Sequence, residues 1–166
     1  MMTEWRQSDF LISTDKNLLD IDVIYNFLRY ESYWAKDRPR EIVEKSIENS
    51  LLCFGIYKEN VAGTIEQVGF ARVITDMATF AYLCDVFVVP EFRGIGLSKW
   101  LMGIITTHPE LQMVRRMLLV TYDAHKLYAQ YGFKYIDMPG QFMQRIQNAP
   151  KKIPYIIDDH DQDQIC

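Results

Sequence analysis

Residues Ala81 to Met102, AYLCDVFVVPEFRGIGLSKWLM, constrain this chain more than any other stretch, because they read as strand, turn and helix in immediate succession. Val86, Phe87, Val88 and Val89 form an unbroken apolar run rich in β-branched side chains, which suits a strand covered on both faces. After a turn containing Pro90, Arg93, Gly94 and Gly96, residues Leu97, Trp100, Leu101, Ile104 and Ile105 recur at the spacing of one helical stripe. The helix N-terminus then lies at the carboxyl end of the strand. Its first-turn N–H groups lack intrahelical partners and carry the positive end of the helix dipole, so the junction is an anion site. Gly94 and Gly96 can take positive φ and admit an anion closely, and Arg93 adds a fork-shaped cation. The spacing is not the early G-x-G-x-x-G of a dinucleotide fold, and the Gly-Lys-Ser/Thr of a P-loop is absent.

The rest of the chain bounds what can surround that unit. Its 166 residues suffice for one domain with a substantial core. A hydrophobic content of 49% beside 24% charged residues excludes a disordered chain, and a net charge of −4 argues against general affinity for nucleic acid or anionic membrane. Three cysteines, an odd number, do not make a disulfide framework; Cys53 and Cys84 lie in apolar runs and read as buried thiols. No run approaches the ~18 apolar residues of a membrane span, and the early acidic residues of MMTEWRQSDF are unlike a signal peptide. A cytoplasmic protein is expected.

In chain order, residues 5 to 13 are expected to form a first strand. Asp20 or Asp22 then caps a helix carrying Val23, Ile24, Phe27 and Leu28, and a second helix after Pro39 turns Ile42, Val43 and Ile47 inward. Leu51–Tyr57, Val68–Thr75 and Thr79–Val89 read as three antiparallel strands. His108-Pro109 ends the central helix, and a right-handed crossover makes the next strand, Arg115–Val120, parallel to the one before. A short helix ends at Gly132, and Phe133–Ile136 with Phe142–Ile146 suggest a last strand pair around Pro139-Gly140. The domain is expected over 1–147, with an acidic, loosely held tail over 148–166.

The run Val88 to Ser98, VVPEFRGIGLS, resembles the coenzyme A signature of the GNAT superfamily of N-acetyltransferases, Arg/Gln-x-x-Gly-x-Gly/Ala. Arg93 and Gly96 match, while Ser98 stands where the family has Gly or Ala. Ala124 to Phe133, AHKLYAQYGF, is similar to a second GNAT feature, Ala-x-x-Leu-Tyr-x-x-x-Gly-Phe. Together the two features speak for roughly residues 51 to 146. The resemblance implies an α/β GNAT fold: a central mixed sheet of about six to seven strands flanked by about four helices, with a parallel strand pair at the cofactor cleft.

It also implies an N-acetyltransferase using acetyl-coenzyme A and no metal, in which an amine attacks the thioester directly. Phe87 and Val88 would pair with pantetheine and offer backbone donors to the thioester oxygen, and Arg93, Gly94, Ile95, Gly96, Leu97 and Ser98 would hold the pyrophosphate. Tyr128 would protonate the leaving thiolate; Thr121 stands where many members have Asn. Asp85 is the candidate general base, with a structural carboxylate bonded to backbone or to Arg72 as its alternative role. Tyr33, Trp34 and Arg72 are expected at the pocket of a small-molecule amine acceptor; Asp85, Glu31 and Asp37 would favour a cationic amine, consistent with a polyamine-like or amino acid-like substrate and equally with a peptide N-terminus. A homodimer fits the family, and neither nucleic acid nor membrane is an expected partner. A non-catalytic acyl-coenzyme A sensing or interaction module on the same fold is the competing reading.

Overall fold

The computed structural model describes residues 3–147, in two compact units that divide after Phe133. The first unit holds a six-stranded sheet in chain order: β1 (Glu4–Gln7), β2 (Phe10–Ser13), β3 (Leu52–Glu59), β4 (Ile65–Thr75), β5 (Phe80–Val88) and β6 (Arg116–Leu118). All neighbours are antiparallel except β5 and β6, which run parallel. Four α-helices accompany the sheet: α1 (Ile21–Asn26), α2 (Arg40–Glu48), α3 (Leu97–Thr107) and α4 (His125–Ala129). This is the mixed α/β arrangement expected. The single strand expected over residues 5–13 is instead a hairpin, because Ser8 and Asp9 make a turn with Ser8 at φ 53°.

Alternation along β3 assigns the two faces. Leu52, Phe54 and Ile56 meet Leu97, Leu101, Met102, Ile104 and Ile105 of α3 in one core layer. Cys53 points the other way, into a layer with Ile24 of α1 and with Val43 and Ile47 of α2. Ile42, expected inward, is 47% exposed: it sits one helical step, about 100°, from the Val43–Ile47 line. Of the run expected to be covered on both faces, Phe87 and Val88 are buried and Val86 and Val89 half-buried.

The helix ends follow from identifiable groups. Asp20, not Asp22, caps α1, its carboxylate accepting the amides of Asp22 and Val23 at 3.0 and 3.1 Å. At the far end of α2 the Lys16 ammonium donates to the carbonyls of Ile47, Glu48 and Ser50 at 2.9, 3.0 and 2.6 Å, satisfying orphan acceptors at the negative end of that helix. His108, extended at ψ 128° ahead of Pro109, stops α3. β5 is bulged opposite β4: Phe70 faces Phe87, but Arg72 faces Cys84. Gly69 allows this close approach, since a Cβ there would fall 2.8 Å from the Phe87 carbonyl oxygen.

In the second unit, residues 134–147 contain one short 3₁₀ turn, Pro139–Gln141. The expected strands over 133–136 and 142–146 do not form: no described residue beyond Leu118 joins a ladder, and Tyr135 and Met143 are exposed. Apolar runs this short do not distinguish strand from loop by pattern alone. The tail assigned to 148–166, with Cys166, lies outside the described residues.

Two tests follow from the packing. Gly69→Ala is expected to lower stability by about 1–3 kcal/mol in denaturant unfolding, because backbone cannot yield as a flexible side chain can. His108 is enclosed by Trp5 and Phe54, its Nδ1 accepts the Glu110 amide at 3.3 Å, and its buried Nε2 has no partner among the described residues. Burial holds its pKa below the ordinary value. Protonation therefore favours the unfolded chain: this stability is complete above the unfolded pKa of about 6.5 and is lost as pH falls toward the lower folded value. Below that pH the unfolding midpoint should drop more steeply for the wild type than for His108→Asn; parallel profiles would contradict this.

Candidate active site

The parallel pairing of β5 with β6 covers only Phe80–Arg116, Ala81–Met117 and Tyr82–Leu118, while β5 runs on to Val88. Beyond Tyr82 the two strands part, and the β5 edge from Leu83 to Val88 has no β6 partner. The cause lies in β5 itself. Asp85 adopts φ 52°, and the bulge here increases local twist and turns the strand away from its neighbour. Aspartate tolerates this left-handed conformation better than the β-branched residues around it.

The carboxyl end of β5 leads through a 3₁₀ turn, Pro90–Phe92, to the start of α3. Gly94 and Gly96 have φ 81° and 94°, and Gly96 occupies the N-cap with no side-chain hydrogen bond to the helix. The first helix bond runs from the Trp100 amide to the Gly96 carbonyl, so the preceding first-turn amides have no intrahelical acceptor. Nothing lies within 4 Å of a Cβ built at either glycine, so it is the backbone angle that calls for glycine here. Ile95 is 60% exposed, Leu97 is buried in the core, and Ser98 is half-buried. Arg93 donates Nε to the Val88 carbonyl at 2.9 Å and lies 5.9 Å from the Phe27 ring, which stacks on Phe87.

On the α1–α2 face, Asp85 is enclosed. Its side chain is 2% exposed. Oδ1 accepts from Trp34 Nε1 at 3.1 Å and Arg38 Nη1 at 3.2 Å; Oδ2 accepts from Arg38 Nη1 at 3.0 Å and Arg72 Nε at 2.6 Å. Arg72 also reaches Ser50 Oγ, after the end of α2, at 3.1 Å. The structure thus brings together Asp85, Arg72 and Trp34, and its geometry matches the structural role for Asp85, with both oxygens committed. Arg38 was not foreseen. It lies in residues 30–38, YESYWAKDR, where the apolar spacing of the preceding helix breaks off, and that break is the signal the sequence offers.

Next to Trp34, Tyr33 reaches the other arm of the opening. Its Oη accepts the Tyr122 amide, beyond β6, at 2.9 Å, and its ring meets Trp34 edge-on at 4.9 Å. The connection between α1 and α2, which begins as a π-helical turn over Phe27–Glu31, therefore touches both β5 and the segment after β6. Tyr128 of α4 is buried; burial, with smaller contributions from Tyr33 and Asp123, pushes its phenol up to about 12. Gly132 at φ 84° ends this helix, and the Phe133 amide returns to the Tyr128 carbonyl. Thr121 Oγ is used locally, accepting the Ala124 amide at 3.1 Å. Burial raises Cys84 to about 12 and Cys53 to about 11, so both are thiols rather than nucleophilic thiolates. Among the described residues no helix is long and apolar enough to cross a membrane, and no group of three His, Cys, Asp or Glu is placed to hold a metal.

A family model described as an acetyltransferase (GNAT) domain matches residues 51–135. The chain belongs to the GNAT acetyltransferase family. A Gibberella zeae protein that carries the name acetyltransferase is 35% identical over 143 residues, 76% of this chain and 79% of its own. The solved structure of a Xanthomonas campestris protein assigned to the GNAT family is 49% identical and superposes with a TM-score of 0.77, covering 86% of this chain and 96% of that one. A Clostridium acetobutylicum protein named as an acetyltransferase and solved with acetyl-coenzyme A shares the fold at a TM-score of 0.58 and 16% identity, covering 88% and 96%.

In this GNAT acetyltransferase the role of Asp85 is separable by experiment. Asp85→Asn keeps the shape and the tolerance of positive φ but leaves two guanidinium groups without their carboxylate. It should cost about 3 kcal/mol of stability, and Asp85→Asn combined with Arg72→Met should recover much of that. Unchanged unfolding with lost activity would instead make Asp85 a base with no structural duty.

Proposed function

We propose that this chain moves an acetyl group from acetyl-coenzyme A to a primary amine, by direct attack of the amine in the opening between β5 and β6. The observation that carries this reading is the unpaired β5 edge leading straight to an uncapped helix N-terminus with Gly94 and Gly96 at positive φ. The residues present fit the cofactor: an extended polar edge suits pantetheine, and free first-turn amides beside Arg93 suit a pyrophosphate. Acetyl-coenzyme A supplies the activated thioester. Backbone donors near Phe87 and Val88 stabilise charge on its oxygen, and Gly94 to Ser98 hold the phosphates.

Tyr128 is the donor toward the departing sulfur. Since an ordinary thiol has a pKa of about 8.5, a phenol raised to about 12 stabilises the thiolate by hydrogen bonding and keeps its own proton. Asp85, with four donor contacts already made, holds the pocket together, and the proton of the amine leaves to water. That commitment of Asp85, with Ser98 in the signature, also favours a second reading, a non-catalytic acyl-coenzyme A sensing or interaction module.

Isothermal calorimetry should show acetyl-coenzyme A binding at micromolar concentrations; absence of binding at high micromolar concentration refutes both readings. A thiol-release assay over a panel of amines separates them, since binding without release favours the module. Tyr128→Phe should lower kcat roughly ten- to a hundredfold while changing cofactor affinity little; an unchanged kcat removes Tyr128 from the chemistry.

A further inference from the structure

We infer that the acceptor of this reaction carries an anionic group, a carboxylate or phosphate, and that Arg38 binds it; the inference rests on the acetyltransferase reading above. The charges around Asp85 do not balance. Two guanidinium groups, Arg38 and Arg72, share one carboxylate, leaving one positive charge in excess beside the opening. The two arginines are not equivalent. Arg72 is 10% exposed at its side chain and divides its donors between Asp85 and Ser50, bracing β4 against the end of α2.

Arg38 is 24% exposed and engages Asp85 through Nη1 alone. Its Nε and Nη2 make no hydrogen bond to a described residue, and these donors have the spacing that a carboxylate or phosphate accepts in pairs. Asp85 keeps the guanidinium in place, which lowers the entropic cost of using the rest of it. Trp34, the other donor to Oδ1, is 39% exposed, and Tyr33 beside it 43%, so the anion site adjoins aromatic surface.

This reverses the charge preference expected from the sequence. Asp85 is consumed by its partners, and Glu31 and Asp37, the other carboxylates that suggested a cationic acceptor, stand on the exposed surface, where solvent weakens their pull. A polyamine would meet the excess positive charge of Arg38. An amino acid, a peptide with a nearby acidic group or an aminated phosphate ester would complement it.

The test compares acceptors in matched pairs, with acetyl-coenzyme A saturating: amino acids against their amides, and phosphoethanolamine against ethanolamine, with spermidine as the cationic control. The acidic member of at least one pair should show a kcat/KM roughly ten- to a hundredfold higher, mostly through KM. The amino acid and phosphate arms identify which anion is read. Arg38→Gln should abolish the difference within the pair by raising KM for the acidic member alone, and Arg38→Lys should retain part of it. Thermal unfolding checks that both variants are folded; if Arg38→Gln is not, the wild-type pairs and Arg38→Lys still decide. Equal rates within every pair, or preference for amides or spermidine, overturn the inference while leaving acetyl transfer intact. A protein that binds acetyl-coenzyme A but acetylates no amine overturns the parent reading and this one with it.

Discussion

Burying a carboxylate without compensation costs several kcal/mol, and the arrangement of this protein around its active region depends on how that cost is met at Asp85. The four donor contacts to its two oxygens come from two elements, Arg72 on β4 and Trp34 and Arg38 on the connection between α1 and α2, and they tie both to Asp85 at the bulge of β5. None of these elements can shift alone without exposing a charge. The same residue sits at φ 52°, a conformation that costs on the order of 1 kcal/mol for a non-glycine residue and is recovered through the ion pairs.

The two sides of the opening are built on different principles. In the proposed site the cofactor meets backbone: the β5 edge beyond Tyr82 and the first turn of α3. The acceptor there meets side chains, Tyr33, Trp34 and Arg38, from one short connection that reaches β5 through Trp34 and the segment after β6 through Tyr33. A common cofactor can be held by groups every residue possesses, whereas recognition of one acceptor needs particular side chains. Fold likeness therefore speaks for the first side and not for the second.

The same division explains what could be read from sequence. The β5–α3 unit was legible because backbone geometry leaves a residue-type record: glycine where φ is positive, an apolar stripe on α3, proline after His108. The short helix α4 and its end at Gly132 were legible from the spacing of Tyr128, Gly132 and Phe133. Arg38 was not, because its role depends on a contact across 47 residues that no periodicity records. Asp85 was visible as a charge in an apolar strand, but whether it serves as base or anchor depends on how many donors converge on it. Ile42 and the expected strands after Gly132 misled for a related reason: short apolar runs state a preference for burial, and the neighbours decide whether a surface is there to bury them.

In the proposed function acetyl-coenzyme A lies along β5 after its separation from β6 and ends on the N-terminus of α3. Amide chemical shifts of isotope-labelled protein, followed during titration with acetyl-coenzyme A, test this placement most directly. The largest changes should fall on Leu83 to Val88 and Gly94 to Lys99, while the amides of β1 and α2 stay nearly fixed. Changes concentrated on β1 or α2, or no changes at saturating cofactor, would contradict it.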